Sequence, residues 1–320
     1  MKSEYVKAVL PVLRAILAHG LMLVVLTAVA RAGPLENAAA AYHQGDYATA
    51  LRIIRPLARK GYAPAQFKLG LIYRNGNGVP QHYGEALKWY RKAADQGYAA
   101  AQRNLGVMLA KGLGVPQDYA DALKWFRKAA EQNDAAAQTN LGVMYDFGHG
   151  VVRDHAEALK WYRKAAKRGD AEARYSLGVI FEQADGVRPN CLKAATWYHL
   201  AAEQGYAPAQ SNLGAMYDRG EGVAQSYREA LKWYRKAAEQ GNSTAQYNIG
   251  SMYASGHGVP QDDVTAHLWF TLSAAQGDED AARNRDLIEQ RMTLTQIGEA
   301  QKLAREWKPK PQGDKLSDMR

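Results

Sequence analysis

Cysteine is nearly absent from this chain, and so are long apolar runs. The single cysteine among 320 residues, Cys191, excludes an intramolecular disulfide and a zinc site built on several cysteines. The clean apolar stretch at 21–30 is shorter than the ~20 residues that a membrane-spanning helix needs. A composition of 47% hydrophobic and 23% charged residues, with a net charge of +9, excludes a disordered chain and indicates a globular one.

The first 32 residues have the three-part pattern of a secretory signal peptide. Basic residues precede the apolar stretch, and Ala30-Arg31-Ala32 forms a small-x-small cleavage pattern before Gly33. We expect export and cleavage, and the lack of disulfides favours a bacterial periplasm. The alternative is an uncleaved anchor, in which case membrane contact would occur through this segment alone.

The rest of the chain repeats every 36 residues. A Leu-Gly or Ile-Gly pair begins at Leu69, Leu105, Leu141, Leu177, Leu213 and Ile249. Six of the seven tryptophans occupy one column, at Trp89, Trp125, Trp161, Trp197, Trp233 and Trp269. Such a period is the signature of a repeat architecture, in which each unit must stack on its neighbours to bury its apolar face.

One repeat can be interpreted as two helices. Apolar residues at helical spacing predict a first helix over about 63–74, and a second over about 82–96 follows a loop rich in glycine. Gly97 ends the second helix at a position that favours a left-handed backbone. Asn133 is the one exception in that column, and asparagine tolerates the same conformation. The aromatic pair of each second helix is expected to fill the space between helices.

The repeat resembles that of a known family. The pattern Ala-x-Gln-x-Asn-Leu-Gly-x-Met-Tyr-x-x-Gly-x-Gly-Val, followed by Ala-Leu-Lys-Trp-Tyr-Arg-Lys-Ala-Ala-Glu-Gln-Gly, is similar to the Sel-one-like repeat (SLR) family, which is related to tetratricopeptide repeats. The resemblance implies an all-α fold, a right-handed α/α superhelical solenoid of helical hairpins, used for protein–protein contact. Some secreted members with a cysteine pair in each repeat are reported to have β-lactamase-like or penicillin-binding activity, and this chain lacks those cysteines.

The predicted organisation has five parts. After the signal peptide at 1–32 come a tetratricopeptide-like hairpin at 33–61, six SLR repeats at 62–277, C-terminal capping helices at 278–307 and a disordered tail at 308–320. Thr293 and Gln296 form a capping-box pattern that begins the closing helix. The repeat at 177–212 departs most from the pattern, at Ala184, Asn190, Cys191, Tyr198 and His199.

Two groups of residues could carry chemistry, and each has a simpler interpretation. Cys191 could be a nucleophile with His199 two helical turns away, but we favour a free packing cysteine. His149, Asp154 and His155 could bind a metal, but their spacing fits no familiar ligand set and Asp154 suits a helix cap. We therefore expect no cofactor, no metal and no enzymatic activity.

The second helices carry a basic column, which includes Lys88, Lys92, Lys124, Lys128, Lys160, Lys164, Lys232 and Lys236. It could attract acidic proteins, anionic lipid or nucleic acid. A solvated outer face with Arg127–Glu131 pairs at i,i+4 is the simpler interpretation, and export argues against nucleic acid.

The first helices are expected to line a concave surface that binds a partner protein or peptide. Two neighbouring columns supply the candidate residues, Phe67, Arg103, Tyr175 and Tyr247 in one and Asn104, Asn140, Asn212 and Asn248 in the other. Asparagine offers a donor and an acceptor to a peptide backbone, and aromatic residues offer apolar anchors. The asparagines could equally bridge adjacent repeats.

The expected function is that of a non-enzymatic periplasmic scaffold or adaptor. A column that is acidic at Asp146, Glu182 and Asp218 would suit a basic segment of the partner. The alternative that the family resemblance suggests is a hydrolase acting on cell-wall or β-lactam substrates.

Overall fold

The computed structural model describes residues 33–183 and 189–310, and every regular element within these ranges is an α-helix. The predicted signal peptide at 1–32 lies outside the described residues, as do Ala184 and the part of the predicted tail at 311–320.

Sixteen helices follow one another in the described part of the chain: α1 (Pro34–His43), α2 (Tyr47–Arg59), α3 (Ala63–Asn75), α4 (Tyr83–Asp95), α5 (Ala99–Lys111), α6 (Tyr119–Glu131), α7 (Ala135–Phe147), α8 (His155–Lys167), α9 (Ala171–Gln183), α10 (Cys191–Ala202), α11 (Ala207–Arg219), α12 (Tyr227–Glu239), α13 (Ser243–Ser255), α14 (Asp263–Ala274), α15 (Glu279–Glu289) and α16 (Leu294–Glu306).

These helices form two compact units. Unit 1 holds residues 33–101 with Leu113–Val115, and unit 2 holds Gln102–Gly112 with 116–310. In unit 1, α1 packs on α2, α2 on α3, and α3 on α4. In unit 2, the helices from α6 to α15 likewise pack each on the next. Consecutive hairpins stacked in this way are the all-α solenoid that the 36-residue period predicts.

Short polar residues set the helix boundaries. The carboxylate of Asp154 accepts the backbone N–H of Glu157 at 2.9 Å and so caps the start of α8. Asn133, after α6, has a φ of 67° and is the one non-glycine residue with a positive φ in the described part of the chain. The sequence-based prediction that asparagine replaces glycine there is confirmed.

The two helices of each hairpin meet where a glycine faces an aromatic ring. A Cβ atom built at Gly142 of α7 would lie 2.5 Å from Cε1 of Tyr162 in α8. The same contact recurs where Gly70, Gly106, Gly178, Gly214 and Gly250 face Tyr90, Phe126, Tyr198, Tyr234 and Phe270. All six of these rings are almost fully buried. The Leu-Gly pair therefore recurs because the ring leaves no space for a Cβ at the glycine position.

The tryptophan column is less buried than the sequence pattern suggests. Trp233 is 2% exposed, whereas the other five repeat tryptophans are half-buried. A lysine lies over four of the rings, with Nζ between 3.9 and 4.7 Å from the ring centroid, at Lys92–Trp89, Lys128–Trp125, Lys164–Trp161 and Lys236–Trp233. Half of the basic column therefore covers tryptophan through cation–π contacts.

Buried glutamines connect successive hairpins. Gln66 donates to the carbonyl of Ala58 at 3.1 Å and accepts Nε2 of Gln96 at 2.7 Å. We call the bond between a buried glutamine of a first helix and the glutamine that follows the second helix of the same hairpin a glutamine bridge. It recurs in unit 2 at Gln132–Gln102, Gln240–Gln210 and Gln276–Gln246. At the corresponding positions 168 and 174 the chain has arginine, and Oε1 of the buried Gln138 has no hydrogen-bond partner.

Two helices follow the last repeat. Thr293 and Gln296 form the predicted capping box at the start of α16, and this prediction is confirmed. Helix α16 packs on α14, and Trp307 meets Trp269 edge to face with ring centroids 6.2 Å apart. Beyond α16, the backbone N–H and Nζ of Lys310 bond to Glu239 at 2.7 and 2.8 Å. The first residues of the predicted disordered tail are thus bound to α12.

Candidate functional site

The candidate site is the face formed by α5, α7, α9, α11 and α13 of unit 2, which we call the first-helix face. It holds all the predicted binding residues except Phe67, which belongs to unit 1. Phe67 and Asn104 are each 2% exposed, so they offer almost no surface to a ligand. The other predicted side chains on this face, from Arg103 to Asn248, are half-buried.

The first column of predicted residues contacts residues of the next repeat, 31 positions later. Arg103 Nε lies 3.2 Å from Oδ2 of Asp134, and Thr139 donates to Asp170 at 2.9 Å. The rings of Phe67 and Tyr98 have centroids 5.3 Å apart, and those of Tyr175 and Tyr206 have centroids 5.4 Å apart. We call these contacts junction pairs. They show that much of this column serves the stacking of repeats.

Some members of the asparagine column also bridge repeats. Burial raises the pKa of the Tyr175 hydroxyl, and the hydrogen-bonding amide of Asn212 acts in the opposite direction. Burial likewise raises the pKa of the Tyr198 hydroxyl, and a hydrogen bond with the amide of Asn212 again acts to lower that pKa. One amide therefore faces hydroxyls from both helices of the preceding hairpin.

The asparagine column extends one repeat further than the sequence analysis placed it. Asn284 of α15 follows Asn248 by 36 residues and donates to the hydroxyl of Tyr247 at 3.2 Å. The column step of 36 residues was the signal that could have identified it.

Asn140 and Asn248 differ from these bridging asparagines. Their side chains make no hydrogen bond to any residue that the structure describes. The position 14 residues before Asn140 is Phe126, which lacks the hydroxyl that Tyr198 presents to Asn212. The position 37 residues before Asn248 is Ser211, whose side chain is shorter than that of Tyr175. Both amides are half-buried, so they keep a free donor and acceptor at the surface.

The acidic column, like the asparagine column, contains both hydrogen-bonded and unpaired side chains. Asp146 bonds to the ring of His155 at 2.8 Å, and Glu182 accepts the Tyr198 hydroxyl at 2.5 Å. Asp218 makes no side-chain hydrogen bond or ion pair within the described ranges. Burial is the main cause that raises the pKa of the Tyr234 hydroxyl, and the negative charge of the nearby Asp218 raises this pKa further. Asp218 is therefore the unpaired carboxylate of the column.

The other candidate residues have no arrangement of a catalytic or metal site. Cys191 is exposed, so the prediction of a packing cysteine is wrong. The ring of His199 meets Trp233 edge to face at 5.7 Å. His149 stacks on Tyr119 at 4.6 Å, and Asp154 caps α8 as expected. Among the residues described, no three His, Cys, Asp or Glu side chains group closely enough to hold a metal ion.

The basic column is partly neutralised by acidic residues one turn earlier. Lys88, Lys160 and Lys232 pair with glutamates three residues before them at 2.8–3.2 Å. The expected pairing of Arg127 with Glu131 is wrong, because Arg127 donates to the hydroxyl of Tyr145 at 2.9 Å instead. Within the described ranges, no helix has the length and apolar character that crossing a membrane requires.

Stacked helical hairpins at a constant step define an α-solenoid repeat protein. The Sel1 repeat family model matches residues 63–98, 99–134, 135–170, 171–206, 207–242 and 243–278. The chain therefore belongs to the Sel1 repeat family, whose members are typically scaffolds for protein–protein interaction and generally non-catalytic.

Two solved structures support this family assignment. A Sel1 repeat protein from Oxalobacter formigenes is 37% identical over 76% of this chain and 99% of its own, with a TM-score of 0.72. The SLR-fold protein c5321, a protective antigen of uropathogenic Escherichia coli strains, is 35% identical over 87% of this chain and 70% of its own, with a TM-score of 0.57. The comparison with curated proteins found no significant match.

Proposed function

We propose that this Sel1 repeat protein is a non-enzymatic adaptor that binds an extended segment of a partner protein along the first-helix face of unit 2. The observation that carries the proposal is the difference within the asparagine column. Asn212 and Asn284 are used to bridge repeats, whereas Asn140 and Asn248 keep unpaired amides at the surface. An amide that donates and accepts at once is suited to a peptide backbone.

The charge of the face suggests the chemistry of the bound segment. Asp218 is a half-buried carboxylate without an ion pair in the described part of the chain, and Asn248 belongs to the next repeat along the same face. A lysine or arginine of the partner would supply the missing cation next to a backbone held by Asn248. We therefore propose a basic, extended segment as the ligand.

We also propose that the protein acts in the bacterial periplasm. The support is the pattern of residues 1–32, with its basic start, apolar stretch and Ala30-Arg31-Ala32 site. Protein recovered from the envelope fraction should begin at Gly33 in N-terminal mass spectrometry. A chain that keeps residues 1–32 would contradict cleavage.

Substitution of the two free amides tests the binding site. The double variant Asn140→Ala with Asn248→Ala loses no hydrogen bond within the described residues, so its thermal midpoint should stay within about 2 °C of wild type. Affinity capture from an envelope extract, quantified by mass spectrometry, should show at least a tenfold loss of the stoichiometric partner.

Asn212→Ala is the matched control. It removes an amide that faces the hydroxyls of Tyr175 and Tyr198, so it should destabilise the protein by about 1–2 kcal/mol in urea unfolding. If the double variant retained the partner at the wild-type level, the first-helix face would not be the binding site. If Asn212→Ala had no effect on stability, the bridging role of Asn212 would be wrong.

A further inference from the structure

The outer face of α10 differs from the corresponding face of the other repeat helices. In α8 and α12 this face carries Lys160, Arg163, Lys164, Lys232, Arg235 and Lys236. In α10 the same positions are Thr196, His199 and Leu200, with Leu192 one turn earlier. These four residues lie at i, i+4, i+7 and i+8, so they share one side of the helix. We call them the α10 face.

The α10 face is apolar and open to solvent. Leu192 is 67% exposed and Leu200 is 40% exposed. The hydroxyl of Thr196 donates to the carbonyl of Leu192 at 2.8 Å, so it is satisfied within the helix. The guanidinium of Arg174 reaches the backbone carbonyl of Leu200 at 3.3 Å, but both leucine side chains remain exposed in the described part of the chain.

Another helix of the chain has the same substitutions, and there a further helix packs on it. In α14 the corresponding residues are Leu268, Thr271 and Leu272, which also replace the basic residues. Helix α16 packs on α14, and Leu268 and Leu272 are half-buried rather than exposed. Ala300, on the apolar side of α16, is fully buried. An amphipathic helix is thus the element that closes this type of face.

We propose that the α10 face binds an amphipathic helix of a partner protein, in the way that α16 covers α14. This surface is distinct from the first-helix face and would give the adaptor a second attachment point. A helix that presents an apolar stripe would bury Leu192 and Leu200.

The charges near the α10 face indicate which charges the bound partner helix should carry. Trp197 of α10 packs against a core cluster built from α8 and α9, and Trp233 of α12 belongs to a cluster built from α9, α10 and α11, so these two tryptophans connect the three helices through shared cores. Arg163 and Lys164 of α8 are exposed. Lys236 of α12 is also exposed, with Nζ 4.1 Å from the centroid of the Trp233 ring, whereas Arg235 donates to the hydroxyl of Tyr253 in α13 at 2.6 Å. The bound helix should therefore carry acidic residues on both flanks of its apolar stripe. A second copy of this chain would instead bring its own basic flanks against these residues.

The test uses a matched pair of helical peptides based on residues 293–308, which contain α16. The acidic peptide carries Lys302→Glu and Arg305→Glu, and the basic peptide carries Glu299→Lys and Glu306→Lys. Both keep the same apolar residues. Protein expressed from the full sequence is labelled with an environment-sensitive dye at the exposed Cys191, which begins α10 but is not part of the face. The dye reports binding at this helix and not at α14.

The acidic peptide should give a saturable signal that weakens with added salt, and the basic peptide should bind at least tenfold more weakly. Leu200→Lys introduces the lysine that α8 and α12 have at this position, and it should lower the affinity for the acidic peptide at least tenfold. Val152→Lys replaces another exposed apolar residue, in a loop, and should leave binding unchanged.

Three outcomes would overturn the proposal. The acidic peptide could give no saturable signal, or it could bind Leu200→Lys as tightly as wild type. Sedimentation could also show self-association of the wild type that Leu200→Lys abolishes, which would make a second copy of this chain the occupant.

Discussion

Glycine and aromatic side chains at fixed positions determine how closely the two helices of each hairpin approach. Tyr162 is 1% exposed, and its ring occupies the space where Gly142 would have a Cβ. The same geometry recurs in all six repeats, so it is a requirement of the hairpin and not of one site. Trp161, its neighbour in sequence, is half-buried and covered by Lys164. The aromatic pair therefore has one packing member and one surface member.

Substitution of Gly142 tests this requirement. Gly142→Ala should destabilise the protein by about 1–3 kcal/mol, because the new methyl would overlap the Tyr162 ring in a core that cannot expand freely. Gly298→Ala is the matched control, since nothing lies within 4 Å of a Cβ at that helical position. It should stabilise by about 0.5–1 kcal/mol. Urea unfolding followed by circular dichroism measures both, and equal effects would contradict the contact.

At the residue level, the sequence predicted which residues occupy equivalent positions in successive repeats, but not which side chains contact one another. The step of 36 residues placed the asparagines and aromatics in the correct register. It could not separate Asn212, whose amide hydrogen-bonds to the hydroxyls of Tyr175 and Tyr198, from Asn140, which has Phe126 in place of Tyr198. That difference depends on side chains 14 and 37 residues away, which become neighbours when the repeats stack. Burial of Phe67 by Tyr90 and Tyr98 has the same origin.

At the level of single helices, local signals were sufficient for most boundaries. Asp154 and Thr293 cap α8 and α16 as their sequence context predicts. The sequence predicted a closing helix after the last repeat, and the structure shows that this helix, α16, packs on α14. What local signals could not show is that α10 has the same substitutions as α14 without such a cover, because exposure depends on the neighbouring elements.

Removal of the closing helix tests what α16 does for α14. A chain truncated after Met292 should lose stability and aggregate, because Leu268 and Leu272 would become exposed like Leu200. Adding Leu268→Lys and Leu272→Lys to the truncated chain restores the residues of α8 and should recover a soluble monomer. Light scattering and sedimentation measure this. Aggregation that the two lysines do not reduce would mean that α16 stabilises the last repeat by other contacts.

At the scale of the whole molecule, the repeats are alike but the hydrogen bonds within them are not. In most repeats a glutamine bridge links the first helix to the residue that follows the second helix, and the bridge at Gln138 is missing because Arg168 replaces glutamine. A buried acceptor without a partner costs about 1–3 kcal/mol. The repeat that contains Gln138 and Arg168 should therefore be less stable than the repeats of unit 2 that keep the bridge.

Restoring the missing bridge tests this assignment. Arg168→Gln should supply a donor to Oε1 of Gln138, as Gln132 does for Gln102 at 2.8 Å, and should stabilise the protein by about 1 kcal/mol. Arg163→Gln removes a charge from the same helix without reaching a buried acceptor, and should be neutral. Hydrogen exchange of the α7 and α8 backbones would localise the effect. Equal unfolding midpoints for wild type and Arg168→Gln would show that Oε1 of Gln138 is already satisfied.

The junction pairs have a consequence for how such a chain folds. Neighbouring repeats are similar enough that a hairpin could stack on the wrong partner, one repeat away from its own. The pairs differ in chemistry along the chain: two rings at Phe67–Tyr98, an ion pair at Arg103–Asp134 and a hydroxyl–carboxylate bond at Thr139–Asp170. A misplaced hairpin would set Phe67 against Asp134 or Thr139 against Tyr206. Because these mismatches are unfavourable, the junction pairs specify which repeat stacks on which and destabilise a chain whose repeats have stacked out of order.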